Sequence, residues 1–259
     1  MSWFEAFILG IIQGLTEFLP ISSTGHLYLG RHLFGLDEAG LYLDTMLHIG
    51  TLIAVFVFYK HEFLHILRKP FSKLTFLLIV GTLPAVVIGL AFKDYFEGIS
   101  KTGVTIGWEF LATGLFLWFA DSIKNGYKKM DQISYSDALF IGTFQAAAIF
   151  PAVSRSGLTM AAALMRKLDR ETAAYFSFLL STPAICGAVV LQLGDVVTGK
   201  AEQISFISLF IATLSAAIFG YLAVKWMINY LKKRSLKVFA VYVWILGIIV
   251  LACQYTGVF

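Results

Sequence analysis

Charged residues are scarce in this chain of 259 residues: they make up 14%, whereas 58% of the residues are hydrophobic. A soluble domain of this size keeps about a quarter of its residues charged. The missing charge means that most of the surface faces something other than water. Several apolar runs approach the roughly 20 residues that a helix needs to cross a bilayer. The composition therefore excludes an ordinary soluble protein and predicts a multi-pass membrane protein.

Cysteine is also rare, and a cleavable signal sequence is missing. The two cysteines, Cys186 and Cys253, lie inside apolar runs with no CxxC neighbour and no His at metal-ligand spacing. That placement is typical of small buried hydrophobic residues and excludes a disulfide framework. The N-terminus has no basic region before the first apolar run and no small-residue cleavage site after it. We therefore expect the first segment to remain in the mature protein.

Six stretches are long enough and free enough of charge to be membrane spans. They cover approximately 43–60, 74–92, 104–120, 171–193, 204–225 and 237–255. Two further apolar regions, 4–35 and 136–166, are each interrupted by Pro and by clusters of Ser, Thr and Gly. Each half of these regions is too short to cross the membrane, and irregular backbone at membrane depth needs protein or water around it. The sequence therefore predicts two re-entrant helical hairpins.

An internal repeat relates the two halves of the chain. Ala6–Gln13 is similar to Ala138–Gln145, and Phe18–Pro20 corresponds to Phe150–Pro151 after a one-residue gap. Each repeat is then one hairpin followed by three spans. Because three is odd, the second repeat must enter the membrane from the opposite face, and broken helices at matching positions indicate a site near the midplane.

The predicted fold class is an all-α integral membrane protein with six transmembrane helices and two re-entrant hairpins in an inverted-topology repeat. We expect one membrane domain, 1–259, built from repeats 1–121 and 136–259 and a cytoplasmic loop, 122–135. Lys and Arg collect on one side of these spans, which is the positive-inside signal. It predicts that both termini and the mouth of the first hairpin lie on the outer side of the cell membrane.

Arg155 is the one Lys or Arg residue that falls in neither aqueous compartment. A charge at membrane depth costs at least about 2.5–3.5 kcal/mol, so it needs a partner and usually has a task. Arg155 lies between Ser154 and Ser156, just before a segment, Leu158–Leu168, with a helical pattern. A guanidinium and a helix N-terminus both suit phosphate, so we predict a phosphate cradle here. A purely structural pairing of Arg155 with Glu17 is the alternative, and both interpretations could hold at once.

The first interrupted region supplies groups that can move a proton. Gln13 and Glu17 share one helix face and could position a proton, a water or a divalent cation. His26 is the nearby residue best able to exchange a proton near neutral pH. Three hydroxyl groups between them could act as nucleophiles once a base activates one: Ser22, Ser23 and Thr24.

Four further polar residues are weaker candidates. Asp44 and His48 share a helix face at the start of the first span and could line the mouth of a site. Glu109 could cap or pair at an interface. Thr159 could donate to phosphate or bond the backbone of its own helix.

Two motifs carry a resemblance to a known family. Gln13–His26 resembles the first signature of the undecaprenyl-diphosphate phosphatases, and Pro151–Thr159 resembles their second, a P-G-x-S-R-S-x-x-T pattern. Ala152 stands in place of the usual Gly, and Gln13 stands where the family often has Glu. The length and the arrangement of apolar segments are also similar, so the resemblance covers essentially the whole chain.

The resemblance implies hydrolysis of a phosphoanhydride bond, from a C55 prenyl diphosphate to its monophosphate and phosphate. It also implies recycling of the lipid carrier of peptidoglycan synthesis at the outer membrane face, and bacitracin resistance, because bacitracin captures the same diphosphate. We predict Glu17, Ser23, His26 and Arg155 as catalytic residues, and a Mg²⁺ or Ca²⁺ ion held by Glu17 and Gln13. The predicted substrate-binding residues are Ser22, Thr24, Ser154, Arg155, Ser156 and Thr159.

Two questions stay open at this stage. The attacking group is Ser23 with His26 as base or acid, His26 itself, or a water oriented by Glu17. The rival function is a flippase or transporter of an anionic lipid, because inverted repeats with broken helices are a common transporter plan. The Ser, His and Glu cluster favours the enzyme, since translocation does not require it. The expected partners are the prenyl diphosphate and the bilayer, with no nucleic acid; a homodimer is neither required nor excluded.

Overall fold

Helices account for almost all the regular structure of the chain. The computed structural model describes residues 1–36, 41–92, 95–96, 98–99, 103–123, 126–195 and 204–257. These ranges contain eleven α-helices, one short 3-10 turn (Met130–Gln132) and no β-strand. In chain order the helices are α1 Trp3–Phe18, α2 Ser23–Leu33, α3 Leu41–Phe58, α4 Lys60–Arg68, α5 Lys73–Ala91, α6 Ile106–Ser122, α7 Tyr135–Ala147, α8 Arg155–Met165, α9 Arg170–Asp195, α10 Phe206–Leu231 and α11 Lys237–Tyr255.

Every predicted span coincides with a helix: α3, α5, α6, α9, α10 and α11. Four of them, α5, α9, α10 and α11, are individually long and apolar enough to cross a membrane. The pair α3 and α4 reaches that length together but is bent by 79°. The prediction of an all-helical, multi-pass membrane protein is confirmed at this level.

Helix α4 is a helix that the sequence analysis does not assign. Phe63 and Ile66 pack against the core, whereas Leu67 is exposed. Apolar residues three positions apart place one stripe of a short helix against its neighbours. The stretch is too short and too basic to be recognised as a span, so only its packing reveals it.

Both interrupted regions fold as two helices around a short break. Residues 19–22 separate α1 from α2, and residues 148–154 separate α7 from α8. Helix α8 begins at Arg155, earlier than the predicted start at Leu158, because the Ser154 side chain accepts the backbone N–H of Gly157 and caps the helix there. Arg155 is therefore the first residue of a helix.

Small residues bring the helices of the two halves close together. α1 packs along α10, α7 packs along α5, and α6 packs along α11. A Cβ atom added to Gly247 would lie 2.8 Å from the carbonyl oxygen of Gly107, so the α6–α11 crossing requires glycine. Close backbone approach at small residues is the usual packing device of helices in membranes, where lipid removes the hydrophobic drive between helices.

Buried carboxylates join the segment after α6 to the helices that follow. Asp137 is 0% exposed. Its carboxylate accepts hydrogen bonds from Lys128 Nζ at 2.9 and 3.1 Å and from Arg166 Nε at 2.7 Å. Asp169 accepts the Thr172 N–H at 2.8 Å and pairs with Lys129. Burial alone would raise the pKa of Asp169, but these contacts outweigh burial and lower it below its ordinary value.

We expect Asp137→Asn to destabilise the protein, because it leaves Lys128 and Arg166 without their buried counter-charge. The cost should be about 2 kcal/mol, less than the roughly 3–5 kcal/mol of a fully buried pair, since both cations are partly exposed. A melting experiment in detergent should show a Tm lower by about 5 °C. The matched control is Asp131→Asn, at an exposed position in the same segment. Equal melting of both variants and the wild type would contradict the role given to Asp137.

Candidate functional site

The two loops between the paired helices meet. The Ser22 hydroxyl donates to the Pro151 carbonyl at 3.4 Å, and the Ser156 hydroxyl donates to the Leu19 carbonyl at 3.1 Å. Each loop also ends in a serine that caps the following helix: Ser22 accepts the Gly25 N–H at 3.3 Å, in the same way that Ser154 caps α8. Two helix N-termini therefore begin side by side, and each carries a partial positive charge.

Glu17 links the first loop to the second. It is 5% exposed and lies in the last turn of α1. One carboxylate oxygen accepts from Ser23 Oγ at 2.6 Å and from Gln13 Nε2 at 3.1 Å. The other oxygen pairs with Nη2 of Arg155. A hydroxyl, a carboxylate and a guanidinium, predicted separately, thus form one continuous hydrogen-bonded chain.

Arg155 keeps donors for a ligand. A guanidinium has five N–H donors, and the pair with Glu17 uses Nη2. The Arg155 side chain is 22% exposed, and the residue lines a cavity of about 720 Å³. A charged pair at this depth is stable only while both partners stay compensated. An anion that enters the cavity can therefore replace Glu17 as the partner of Arg155.

The cavity has a polar wall and an apolar remainder. The predicted site residues on the wall are Glu17, Ser22, Ser23, Thr24, Ser154, Arg155 and Ser156. The apolar remainder comes mostly from 85–90 of α5 and 183–191 of α9. The volume of the whole cavity, about 720 Å³, is within the range of small-molecule binding sites. Such a cavity suits a ligand with an anionic end and an apolar body.

Three predicted site residues do not line this cavity. Gln13 is 0% exposed and lies behind Glu17. The Thr159 hydroxyl donates to the Arg155 carbonyl at 2.8 Å and contacts Ser177 Oγ at 2.5 Å, so it bonds locally. His26 is directed toward α6 and α11, where its ring stacks on Tyr242.

The weaker candidates of the first span lie next to the site. His48 lines the cavity, and its Nδ1–H donates to the Asp44 carbonyl at 2.7 Å. The Asp44 carboxylate accepts two hydrogen bonds from Arg31, at 2.7 and 2.8 Å. These residues connect α2 to the start of α3 beside the cavity.

Two residues of α6 hold the second loop in place. Glu109 accepts the Ala152 N–H, and Thr113 Oγ1 accepts the Ser154 N–H at 3.1 Å. Both residues are buried. From the sequence Glu109 is predicted only as a capping or pairing group, and Thr113 is not among the predicted residues. The spacing of one helical turn between two polar residues in an apolar span was the available signal.

The residues that could hold a divalent cation are few. Among the described residues, no three His, Cys, Asp or Glu side chains cluster in a way that would hold a metal ion. Glu17 supplies one carboxylate, and the buried Gln13 Oε1 accepts no hydrogen bond within the described ranges. Mg²⁺ is commonly held by one or two carboxylates together with oxygens of a phosphate substrate. Glu17 faces the cavity and could join phosphate oxygens around a cation, whereas Gln13 lies behind it and directs its amide nitrogen, not Oε1, at Glu17.

By its fold and its site, the protein is a multi-pass helical membrane protein with a largely apolar cavity that has a Glu17–Arg155 ion pair on its wall. The chain belongs to the family described as "Bacitracin resistance protein BacA", whose model matches residues 6–249. Both converging loops lie inside the matched range.

Relatives of known name resemble the chain over its full length. "Undecaprenyl-diphosphatase 4" of Bacillus thuringiensis (strain Al Hakam) is 75% identical over 259 residues, covering 100% of both chains. "Undecaprenyl-diphosphatase" of Carboxydothermus hydrogenoformans is 47% identical over 261 residues, with 100% of both chains covered. The protein of the same name from Halothermothrix orenii is 41% identical over 97% of this chain and 98% of its own.

We expect Thr113→Val to weaken the second loop, because the isosteric side chain leaves the buried Ser154 N–H without an acceptor. An unpaired buried donor costs about 1–3 kcal/mol, which should appear as a lower Tm of the purified protein. Thr143→Val is the matched control, since Thr143 is exposed and bonds only the backbone of its own helix. The assignment would be wrong if both valine variants melted alike.

Proposed function

We infer that this protein is an undecaprenyl-diphosphatase, a membrane hydrolase that converts a C55 prenyl diphosphate to the monophosphate and phosphate. The observation that carries the inference is the chain Ser23–Glu17–Arg155 on the wall of the 720 Å³ cavity. A nucleophile, a base and a phosphate-binding cation stand together where the rest of the cavity is apolar. The full-length relatives carry the name of the same enzyme.

In the mechanism we propose, Arg155 binds the diphosphate first. The incoming phosphate takes Arg155 from Glu17, assisted by the N-terminus of α8 and by the hydroxyls of Ser154 and Ser156. Thr24, at the start of α2, faces the same cavity and donates to the remaining oxygens. Ser22 donates to them when its hydroxyl proton leaves the Pro151 carbonyl. Thr159 supports this arrangement indirectly, through its bond to the Arg155 carbonyl. The exchange leaves the Glu17 carboxylate free of its counter-charge.

Ser23 is the attacking group that the geometry favours. Its hydroxyl donates to Glu17 Oε2 at 2.6 Å, within the distance at which a general base takes a proton. As Glu17 takes that proton, Ser23 Oγ attacks the terminal phosphorus and the bond to the bridging oxygen breaks, which releases the prenyl monophosphate. The proton on Glu17 passes to the departing prenyl monophosphate, so Glu17 is again a carboxylate. It then takes a proton from the water that hydrolyses the phosphoserine, and that proton returns to Ser23 Oγ as phosphate leaves. Arg155 stabilises the charge on the transferred phosphoryl group in both steps.

A divalent cation, Mg²⁺ or Ca²⁺, is part of the proposal. Glu17 would hold it together with the diphosphate oxygens, and Gln13 would add its amide oxygen once the amide, whose Nε2 now donates to Glu17, turns over. The cation would supply additional neutralisation of phosphate charge. The buried Gln13 Oε1 supports this assignment because it accepts no hydrogen bond within the described residues.

The proposed membrane arrangement has six spans and two re-entrant hairpins in an inverted repeat, 1–121 and 136–259. Reciprocal packing supports it: α1 of the first half lies on α10 of the second, and α7 of the second half lies on α5 of the first. With the lysines of 122–135 on the cytoplasmic side, both termini lie outside. The enzyme would then recycle the carrier lipid of peptidoglycan synthesis at the outer face and reduce the amount of diphosphate that bacitracin can capture.

A flippase or transporter of an anionic lipid is the alternative, favoured by the reciprocal packing of broken helices. We expect the purified wild type to release phosphate from undecaprenyl diphosphate in detergent, where no compartments exist. Chelation of divalent cations should stop the release, and added Mg²⁺ or Ca²⁺ should restore it. If no phosphate is released with either cation, the proposed enzymatic function is wrong. If phosphate release persists under chelation, only the proposed requirement for a metal ion is wrong.

We expect Arg155→Ala and Ser23→Ala to fail in different ways. Arg155→Ala should lose substrate binding, because the phosphate loses its buried cation. Ser23→Ala should bind the prenyl diphosphate but turn over at least about 10³-fold more slowly, since its nucleophile is gone. Binding and phosphate release are measured on the same preparations.

Ser136→Ala, at an exposed position outside the cavity, is the control for effects of mutagenesis and purification. It should match the wild type in both substrate binding and phosphate release. Full turnover in Ser23→Ala would favour a water oriented by Glu17 as the attacking group. Intact binding in Arg155→Ala would contradict the phosphate cradle.

A further inference from the structure

His26 is the one predicted catalytic residue that turns away from the cavity. Its ring stacks on Tyr242 of α11 with centroids 5.7 Å apart and meets Phe110 of α6 edge-on at 5.4 Å. Ser22, Ser23 and Thr24, which lie close to His26 in the chain, line the cavity, but His26 does not. A histidine so placed does not touch a phosphate bound at Arg155.

Both ring nitrogens of His26 are already engaged. Nδ1 lies 2.6 Å from the Ser22 carbonyl oxygen, and Nε2 lies 2.8 Å from the Tyr242 hydroxyl. Because a carbonyl only accepts, Nδ1 carries the proton, and in the neutral ring Nε2 accepts from Tyr242. No ring nitrogen is left to attack phosphorus or to take a proton from Ser23, whose hydroxyl donates to Glu17 instead.

Ser22, whose carbonyl accepts the hydrogen bond from His26, has an unusual backbone conformation. Ser22 has a φ of 71° and a ψ of 107°, a conformation that residues other than glycine rarely adopt. Such a conformation persists only where the surroundings impose it. The Ser22 carbonyl accepts two hydrogen bonds from His26, from Nδ1–H at 2.6 Å and from the backbone N–H at 3.3 Å, and the side-chain bond is the shorter. The Ser22 hydroxyl bonds Pro151 and Gly25. Ser23 follows directly, so the direction of its hydroxyl depends on this backbone.

The second half of the chain contains an internal comparison. Ser154 caps α8 as Ser22 caps α2, and Leu158 lies four residues after Ser154 as His26 lies four residues after Ser22. Ser154 caps its helix in the same way but has an ordinary φ of −71°. The unusual serine backbone thus occurs in the half that has the histidine and the nucleophile.

We propose that His26 and Tyr242 form a positioning pair that aims the nucleophile and take no direct part in the chemistry. Tyr242 orients the His26 ring, His26 holds the Ser22 carbonyl, and the Ser22 backbone places Ser23 Oγ on Glu17. This inference rests on the proposed phosphatase function and assigns a role to Tyr242, which the sequence motifs do not contain.

Substitutions of His26 separate positioning from chemistry. Asn places its side-chain N–H where histidine has Nδ1–H, so His26→Asn keeps the hydrogen bond to Ser22 but has no group that exchanges protons near neutral pH. We expect His26→Ala to lower kcat on the order of 10²-fold, the effect of a small misplacement of a reacting group. His26→Asn should stay within about tenfold of the wild type, and KM should be similar in both. His26→Gln, which reaches the Nε2 position, should behave like His26→Ala.

Tyr242→Phe tests the outer member of the pair without altering His26. It removes one neutral hydrogen bond, so kcat should fall about fivefold with an unchanged KM. The matched control is Tyr255→Phe on the same helix, where the tyrosine is 93% exposed; it should match the wild type. Phosphate release from undecaprenyl diphosphate is measured for all variants, with melting curves to establish that each is folded.

The outcomes are distinct. A folded His26→Asn as inactive as His26→Ala would overturn the inference and make His26 a catalytic residue, while the wild type remains a phosphatase. If the His26 variants do not fold, Tyr242→Phe decides, and a kcat equal to that of Tyr255→Phe would overturn the inference. A wild type that releases no phosphate would overturn the proposed function and this inference together.

Discussion

The ion pair between Glu17 and Arg155 is the interaction on which the rest of the structure depends. Neither charge is stable alone at this depth, because a buried ion without a partner costs several kcal/mol. The two residues come from different halves of the chain, so the pair forms only when both loops are in place. Folding of the bundle and assembly of the site are therefore one event. The pair with Glu17 also compensates the charge of Arg155 until an anionic ligand replaces Glu17 as its partner.

The loops are short and irregular, and each depends on a helix from the other half of the chain. Glu109 and Thr113 of α6 accept the backbone N–H groups of the second loop. Tyr242 of α11 reaches the first loop through His26. α6 and α11 themselves cross at Gly107 and Gly247. The α6–α11 crossing therefore links the two helices that hydrogen-bond to the loops. Irregular backbone in the membrane is stable where protein groups supply its hydrogen-bond partners in this way.

Much of this arrangement could be predicted from the sequence, for identifiable reasons. Span positions follow from length and hydropathy, and the importance of Arg155 follows from its isolation in an apolar environment. Its pairing with Glu17 was one of two interpretations, and the structure contains it. The orientation of His26 could not be predicted, because a motif gives spacing along the chain and not the side of the helix that meets the cavity. The contribution of Tyr242 was equally hidden, since a tyrosine in an apolar span has no distinctive pattern.

The two halves differ most at corresponding positions next to the cavity. Where the first half has Glu17 and Ser23, the second has Ile149 and Arg155. Ile149 lines the cavity as an apolar residue, so the groups proposed for proton transfer lie at the first loop and the cation proposed to bind the anion lies at the second. A symmetric pair of loops would place like charges together, either two carboxylates or two guanidinium groups, and neither is stable at membrane depth. The asymmetry therefore serves stability and the proposed chemistry at once. The same two residue differences that make the ion pair possible also place the proposed base and the proposed phosphate-binding cation on different loops.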